Sequence, residues 1–197
     1  MREMIKMVVV LTILSAASGG LLAAVRNGTK DRIENQQLQL VKGPAIRAIL
    51  EGCTNDPVAD RFKIKDGTTE RSFFVGIFNG KPSSVAFEVM GKGFGGPLGL
   101  MVAVNLADDK MVGIGVTTHS ETPGLGARAK TDAGFAKQFK GLPVLTPFKV
   151  TADGGSINAL SGATITSRGV CGGLTDAGRI YQRLKPQISD KLKSFTQ

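Results

Sequence analysis

Ser161-Gly162-Ala163-Thr164-Ile165-Thr166-Ser167 is small, hydroxyl-rich and glycine-bearing, and it opens the last strong helical pattern of the chain. Apolar residues then recur at Val170, Leu174, Ala177, Tyr181 and Leu184, a spacing that lays one apolar stripe along a helix. A hydroxyl just before such a stripe is an N-cap candidate, and free amides at a helix start suit a phosphate. Gly162 carries no Cβ and so lets a ligand come close to the backbone. Spacing alone leaves two readings open, a plain capped helix and an anion-binding helix start. In either, Thr166 and Ser167 read as cap or phosphate-contact residues. Arg168 then either pairs with the phosphate or stands solvated on the helix face.

Working back from this stretch, strand signals come in pairs. Ser72–Phe78 is rich in Phe, Val and Ile and ends at Asn79-Gly80, a strong two-residue turn signal, with Val85–Val89 as the returning arm. Leu98–Val104 and Met111–Thr117 repeat the theme around Asp108-Asp109-Lys110. Two antiparallel hairpins flanked by helices predict an α+β domain. Between them, Gly91-Lys92-Gly93-Phe94-Gly95-Gly96-Pro97-Leu98-Gly99 matches neither a Walker loop nor a dinucleotide fingerprint, and no helix follows it. It reads as a tight connection where backbones approach closely.

The segment His119-Ser120-Glu121-Thr122-Pro123-Gly124-Leu125-Gly126-Ala127-Arg128 leaves the second hairpin. Pro123-Gly124 signals a turn, and Gly126 offers a further close approach. Leu125 is the one large apolar side chain of this polar loop. A conjugated ring needs such a surface, with an apolar side chain against its face and amides along its polar edge. His119 is the only histidine and reads either as a hydrogen-bonded structural residue or as a proton donor to a ring.

At the N-terminus, Met7–Val25 is a 19-residue run without a charge, preceded by Lys6 and followed by Arg26. At about 1.5 Å per residue it is just long enough to cross a hydrocarbon core of roughly 30 Å. Ala16 and Ser18 resemble a signal-cleavage arrangement, but the apolar run resumes through Leu21–Val25 and completes a span. Arg2 and Lys6 form a basic leader that favours an inside N-terminus, with the main domain outside the cytoplasm. Asn27 to Glu51 then reads as helical, with a break or restart at Gly43-Pro44 and a stop at Gly52. The organisation expected is a leader and transmembrane anchor over 1–26, a helical lead-in over 27–65, and a single domain over 66–197.

Composition narrows the function classes. The chain has 197 residues and 42% hydrophobic content, enough for one anchor and one domain with a real core. The net charge of +9 is scattered from Arg2 to Lys193, with neither aromatic interleaving nor a nucleic-acid motif. A basic surface, with some attraction to anionic lipid, explains it better than nucleic acid does. Cys53 and Cys171 stand far apart without a CxxC, so no zinc or iron–sulfur ligand set is expected. The two cysteines read as free buried thiols or as a disulfide.

The pair of motifs carries a resemblance. Glu121-Thr122-Pro123-Gly124-Leu125-Gly126, followed by Ser161-Gly162-Ala163-Thr164-Ile165-Thr166, resembles the signature of the FMN-binding domain family shared by the proteins RnfG and NqrC. The glycine-rich run and Gln138-Phe139-Lys140-Gly141-Leu142 are also similar to that family, over about residues 66–185. The resemblance implies FMN in phosphoester linkage to Thr164, with Ser161, Gly162 and Ala163 shaping the approach of a flavin transferase. Glu121, Thr122, Gly124, Leu125 and Gly126 are then expected to bind the isoalloxazine ring, and Thr166 to contact the cofactor. No acid–base pair and no metal are required. The implied protein is a single-pass inner-membrane flavoprotein of an Rnf-type ion-translocating oxidoreductase, with its domain on the periplasmic side and other membrane subunits as partners. An NqrC-like component of a Na+-translocating NADH:quinone reductase is the nearest alternative, and an anchored non-redox binding module is another. One residue departs from the family pattern: position 158, usually acidic, is Asn158.

Overall fold

The computed structural model describes residues 1–195 and divides the chain into two compact units, Met1–Gln39 and Leu40–Gln197. The first unit is one helix, α1 (Arg2–Gln37). Its stretch Arg2–Lys30 is long and apolar enough to cross a membrane, and Leu11, Leu14, Leu21 and Leu22 are all exposed. The hydroxyls of Thr12 and Thr29 donate back to the carbonyls of Val8 and Val25, both at 2.8 Å. These hydroxyls are thus satisfied inside the helix.

A π-helical turn (Leu38–Lys42) follows in the chain, and the second unit continues with α2 (Gly43–Ile49), with Pro44 in its first turn, where a missing N–H costs nothing. Five strands follow: β1 (Arg61–Asp66), β2 (Thr69–Phe78), β3 (Lys81–Lys92), β4 (Pro97–Asn105) and β5 (Lys110–Val116). They form one antiparallel meander in the order β1-β2-β3-β4-β5. Two short helices, α3 (Arg128–Thr131) and α4 (Ala133–Lys137), and a long loop precede α5 (Thr164–Leu192).

The α+β class and both expected hairpins are present. Asn79 and Gly80 take φ of 52° and 74°, the left-handed pair that a two-residue hairpin turn with the strands' own twist requires. The lead-in differs from expectation. Helix ends at Ile49, close to the stop read at Gly52, which turns the chain at φ 88°, but within the lead-in β1 joins the sheet as an edge strand. Phe62 packs on Phe73 and Ile64 is buried, while Arg61, Lys63 and Lys65 stay exposed. That alternation is a strand's, with the charge that an open edge needs against self-pairing. The second compact unit takes in this strand as well, from Leu40 onward.

Register puts one apolar face of the sheet under α5. Phe73 pairs Phe87, which pairs Val102; Val75 pairs Val85, which pairs Val104. These rows bury the expected stripe of Val170, Leu174, Ala177, Tyr181 and Leu184, extended by Ile188 and Leu192. The opposite face carries α2, with Ile46 and Leu50 fully buried and Ile49 lying over Gly113 and Gly115. Each buried Leu or Val contributes about 1.5–3 kcal/mol, against about 1 kcal/mol for a helix cap, so the stripe and not the cap fixes where α5 lies. Cys53 and Cys171 are both free. Burial pushes the Cys171 thiol up to about 11, so it stays an inert packing residue.

Candidate functional site

The hydroxyls at the start of α5 divide their work in a way spacing could not show. The residue at the N-cap is Ala163, which offers no side-chain acceptor. Ser167, far from being a cap, is buried, accepting from the Leu160 N–H (2.9 Å) and donating to the Ala163 carbonyl (3.0 Å). Thr166 is buried too, and its hydroxyl donates to Oε2 of Glu121. Thr164 differs from both. Its hydroxyl makes no hydrogen bond among the described residues, and it lines a cavity. The intrahelical ladder begins only with the Ser167 N–H to the Ala163 carbonyl, so the amides of Thr164, Ile165 and Thr166 have no helical partner.

That cavity has a volume of about 410 Å³ and is lined by Phe94, Glu121, Thr122, Leu125, Gly126, Gly162, Ala163, Thr164, Ile165 and Thr166. Of the residues expected at the site, Ser161 and Gly124 do not reach its wall. Gly124, at φ 74°, instead shapes the turn in which the Thr122 carbonyl accepts from the amides of Leu125 and Ala127. Leu125 is presented by that turn and meets the helix start at Gly162, where an added Cβ would stand 3.1 Å from its Cδ2. Phe94 and Ile165 complete the apolar wall and were not expected there. Both sit inside stretches singled out in the sequence, yet only the fold brings those stretches together.

Glu121 is 5% exposed and receives three donors: the Thr166 hydroxyl, the Gly95 N–H at 2.7 Å and the Phe94 N–H at 3.3 Å. Burial alone would raise its carboxyl, but the Thr166 hydroxyl and the two amides outweigh burial and hold it below the usual carboxylate range. His119 accepts at Nδ1 from the Glu121 N–H at 3.3 Å, a bond that fits its structural reading. Arg168 neither stands free nor points to an unmatched anion. It forms a two-bond pair with Asp153 at 2.7 and 2.6 Å, which lowers the Asp153 carboxyl. Gln138 clamps the backbone of Asn158 at both N–H (2.7 Å) and carbonyl (3.1 Å), leaving the approach to Ser161 fixed.

The donor set suits FMN. Phe94, Leu125 and Ile165 line the cavity and are 72%, 47% and 50% exposed, an apolar rim of the kind the face of a flat ring needs. The free amides and the open Thr164 hydroxyl lie together at the helix start, where a phosphate is favoured.

Comparison with known proteins agrees with this geometry. A family model described as an FMN-binding domain matches residues 93–178, from the glycine-rich connection to the middle of α5. The G component of a proton-translocating ferredoxin:NAD(+) oxidoreductase complex from Clostridium ljungdahlii is 34% identical over 85% of this chain and 85% of its own. The G component of the ion-translocating oxidoreductase complex of Cereibacter sphaeroides is 31% identical over 90% of this chain and 84% of its own. Among solved structures, the C component of the Na(+)-translocating NADH-quinone reductase of Parabacteroides distasonis shares the fold, with a TM-score of 0.54 at 22% identity over 81% of this chain and 95% of its own.

Proposed function

Because the chain belongs to the RnfG family, the G components of ion-translocating oxidoreductase complexes, we propose that it is the complex's anchored flavin relay, with FMN esterified to Thr164. The observation that carries this reading is the open hydroxyl of Thr164 in the cavity, beside Thr166 and Ser167 hydroxyls that are already engaged. Thr164 Oγ1 forms the new P–O bond and loses its proton. A flavin transferase delivers the FMN group from a phosphoanhydride donor, whose anhydride bond breaks in exchange. The first-turn amides would hold the ester phosphate, and Ser161, Gly162 and Ala163 would leave room for the transferase. Leu125, Phe94 and Ile165 would cover the ring, with Thr122 and Gly126 on the same wall. When bound, FMN supplies the electron-transfer chemistry, and the protein supplies attachment, orientation and tuning. A covalent bond keeps the cofactor in place through redox changes that would alter its affinity.

Helix α1 anchors the domain to the membrane, and the basic leader of Arg2 and Lys6 keeps the N-terminus inside, so that the domain faces out. Between Met7 and Val25 there is no ionisable residue, so the ion path belongs to other subunits. The relatives described above favour this complex over the Na+-translocating quinone reductase, to which the likeness is one of fold. Coexpression with a flavin transferase and intact-mass measurement tests the proposal. The expected outcome is a gain of one FMN less one water in the wild type and none in Thr164→Ala. An unmodified, colourless wild-type chain under those conditions would leave only the non-redox binding module.

A further inference from the structure

We infer that Glu121 is a positioning residue: its buried carboxylate clamps the glycine-rich connection and the first turn of α5 together, and so sets where Thr164 presents its hydroxyl. This rests on the flavin reading above and gives Glu121 a role other than direct contact with the ring. Three separate segments are joined through this one residue. Phe94 and Gly95 donate from the β3–β4 connection, Thr166 donates from α5, and the Glu121 N–H is tied to His119 in its own loop.

The surrounding glycines are cleared for that carboxylate. A Cβ at Gly93 would run into Oε1 of Glu121, and one at Gly126 would stand 2.5 Å from its Oε2 and 2.7 Å from the Thr166 hydroxyl. A Cβ at Gly95 would collide with the Ser120 carbonyl, so the connection lies flat on the backbone leading into Glu121. Glycines in two distant motifs thus make room for one carboxylate. Burying an ion is costly unless it is fully hydrogen-bonded, so this group stays because it holds parts together. Thr166 is two residues beyond Thr164 on the same helical turn. Letting go of Thr166 therefore frees the turn that aims the Thr164 hydroxyl.

The test uses the full-length chain in detergent with a purified flavin transferase and its flavin donor, and follows the rate of mass gain against chain concentration. Thr166→Val and Glu121→Ala are expected to lower the kcat of attachment about tenfold or more with KM little changed, because the acceptor is misaimed rather than unrecognised. Thr166→Ser, which keeps the hydroxyl, recovers most of the rate. In the flavin-free Thr164→Ala chain, Thr166→Val speeds hydrogen exchange at the amides of Phe94 and Gly95. Wild-type attachment kinetics in Thr166→Val, or an effect confined to KM, overturns the inference, as does unchanged exchange at those amides. If Glu121→Ala does not fold, Thr166→Val still decides, since it keeps the side-chain shape. A wild type that takes no flavin sinks the flavin reading instead, and the exchange measurement then judges the clamp alone.

Discussion

Along α5 the C-terminal half is tied by charged and polar side chains to the turns of the sheet, whereas nearer its start the helix also lies backbone to backbone on the sheet. Near its middle, Tyr181 is fully buried and donates to Asp109 at 2.6 Å, and Lys185 bonds the same carboxylate at 2.6 and 2.7 Å. Asp109 sits in the β4–β5 turn at φ 54°, so one turn residue pins two helix residues. Arg183 reaches Asp66 at the β1–β2 turn in the same way. At the other end, Gly169 and Gly173 let the helix backbone lie directly on Gly91 of β3. Stability and function are thus separated along one helix. Side-chain grips hold the helix to the sheet, while the close backbone approach brings the helix start beside the glycine-rich connection and keeps Thr164 open.

The comparison breaks most severely at Gly169. A Cβ there would run into the Lys92 carbonyl and stand 3.1 Å from the Gly93 N, all backbone atoms with nothing flexible to yield. Gly169→Val is expected to cost about 3 kcal/mol, the upper end for overpacking a well-packed contact. It should also lower flavin attachment, since the displaced segment is the one that donates to Glu121. Thermal unfolding can be followed by the fluorescence of Tyr181, the only tyrosine in a chain without tryptophan. A melting point equal to that of the wild type would show that the backbone grip is not what seats this end.

At the other grip, Asp109→Asn should cost about 1–2 kcal/mol, the scale of hydrogen bonds to a charged partner, and leave the FMN mass gain intact. Asparagine keeps the left-handed turn conformation, so the loss isolates the charge. The acid limb sharpens this. The bonds from Lys185 and then Tyr181 hold the Asp109 carboxyl below its ordinary range, and Arg183 and Arg71 do the same for Asp66. A carboxyl lowered by folding contributes stability that is complete above its unfolded pKa, near about 4, and is lost as pH falls through the lower folded value. The melting point is therefore expected to hold from about pH 7 to 5 and drop below about pH 4, less steeply in Asp109→Asn. An equally steep drop in the variant would assign the acid limb to other carboxylates.

The two grips were not equally visible in the sequence. The stripe from Val170 to Leu184 and the Asn79-Gly80 turn are local signals, complete within one helix or one hairpin, and both hold in the fold. The edge strand β1 was hidden because Arg61, Lys63 and Lys65 make it look like a charged lead-in, with only Phe62 and Ile64 facing inward. The hydroxyls of Thr166 and Ser167 were legible as belonging to a helix start but not in their directions, because the partner of Thr166 lies 45 residues away. Phe94 and Ile165 escaped for the same reason. A cavity wall drawn from three segments leaves no spacing to read.

The smallest effect is expected at Gly172, one position before Gly173 on the same helix. Where Gly169 and Gly173 press on Lys92, Leu100 and Gly91, an added Cβ at Gly172 meets nothing within 4 Å and faces outward. This glycine bears none of the backbone contact, so only its conformational freedom matters. Gly172→Ala should raise stability by about 0.5–1 kcal/mol, the helix preference of alanine over glycine, with flavin attachment unchanged. Because the two substitutions differ by three residues along one helix, their opposite signs would separate the cost of contact from the cost of a glycine in a helix. A loss of stability at Gly172→Ala would mean that the outward face of this turn is also in contact, and the backbone grip would have to be wider than Gly169 and Gly173.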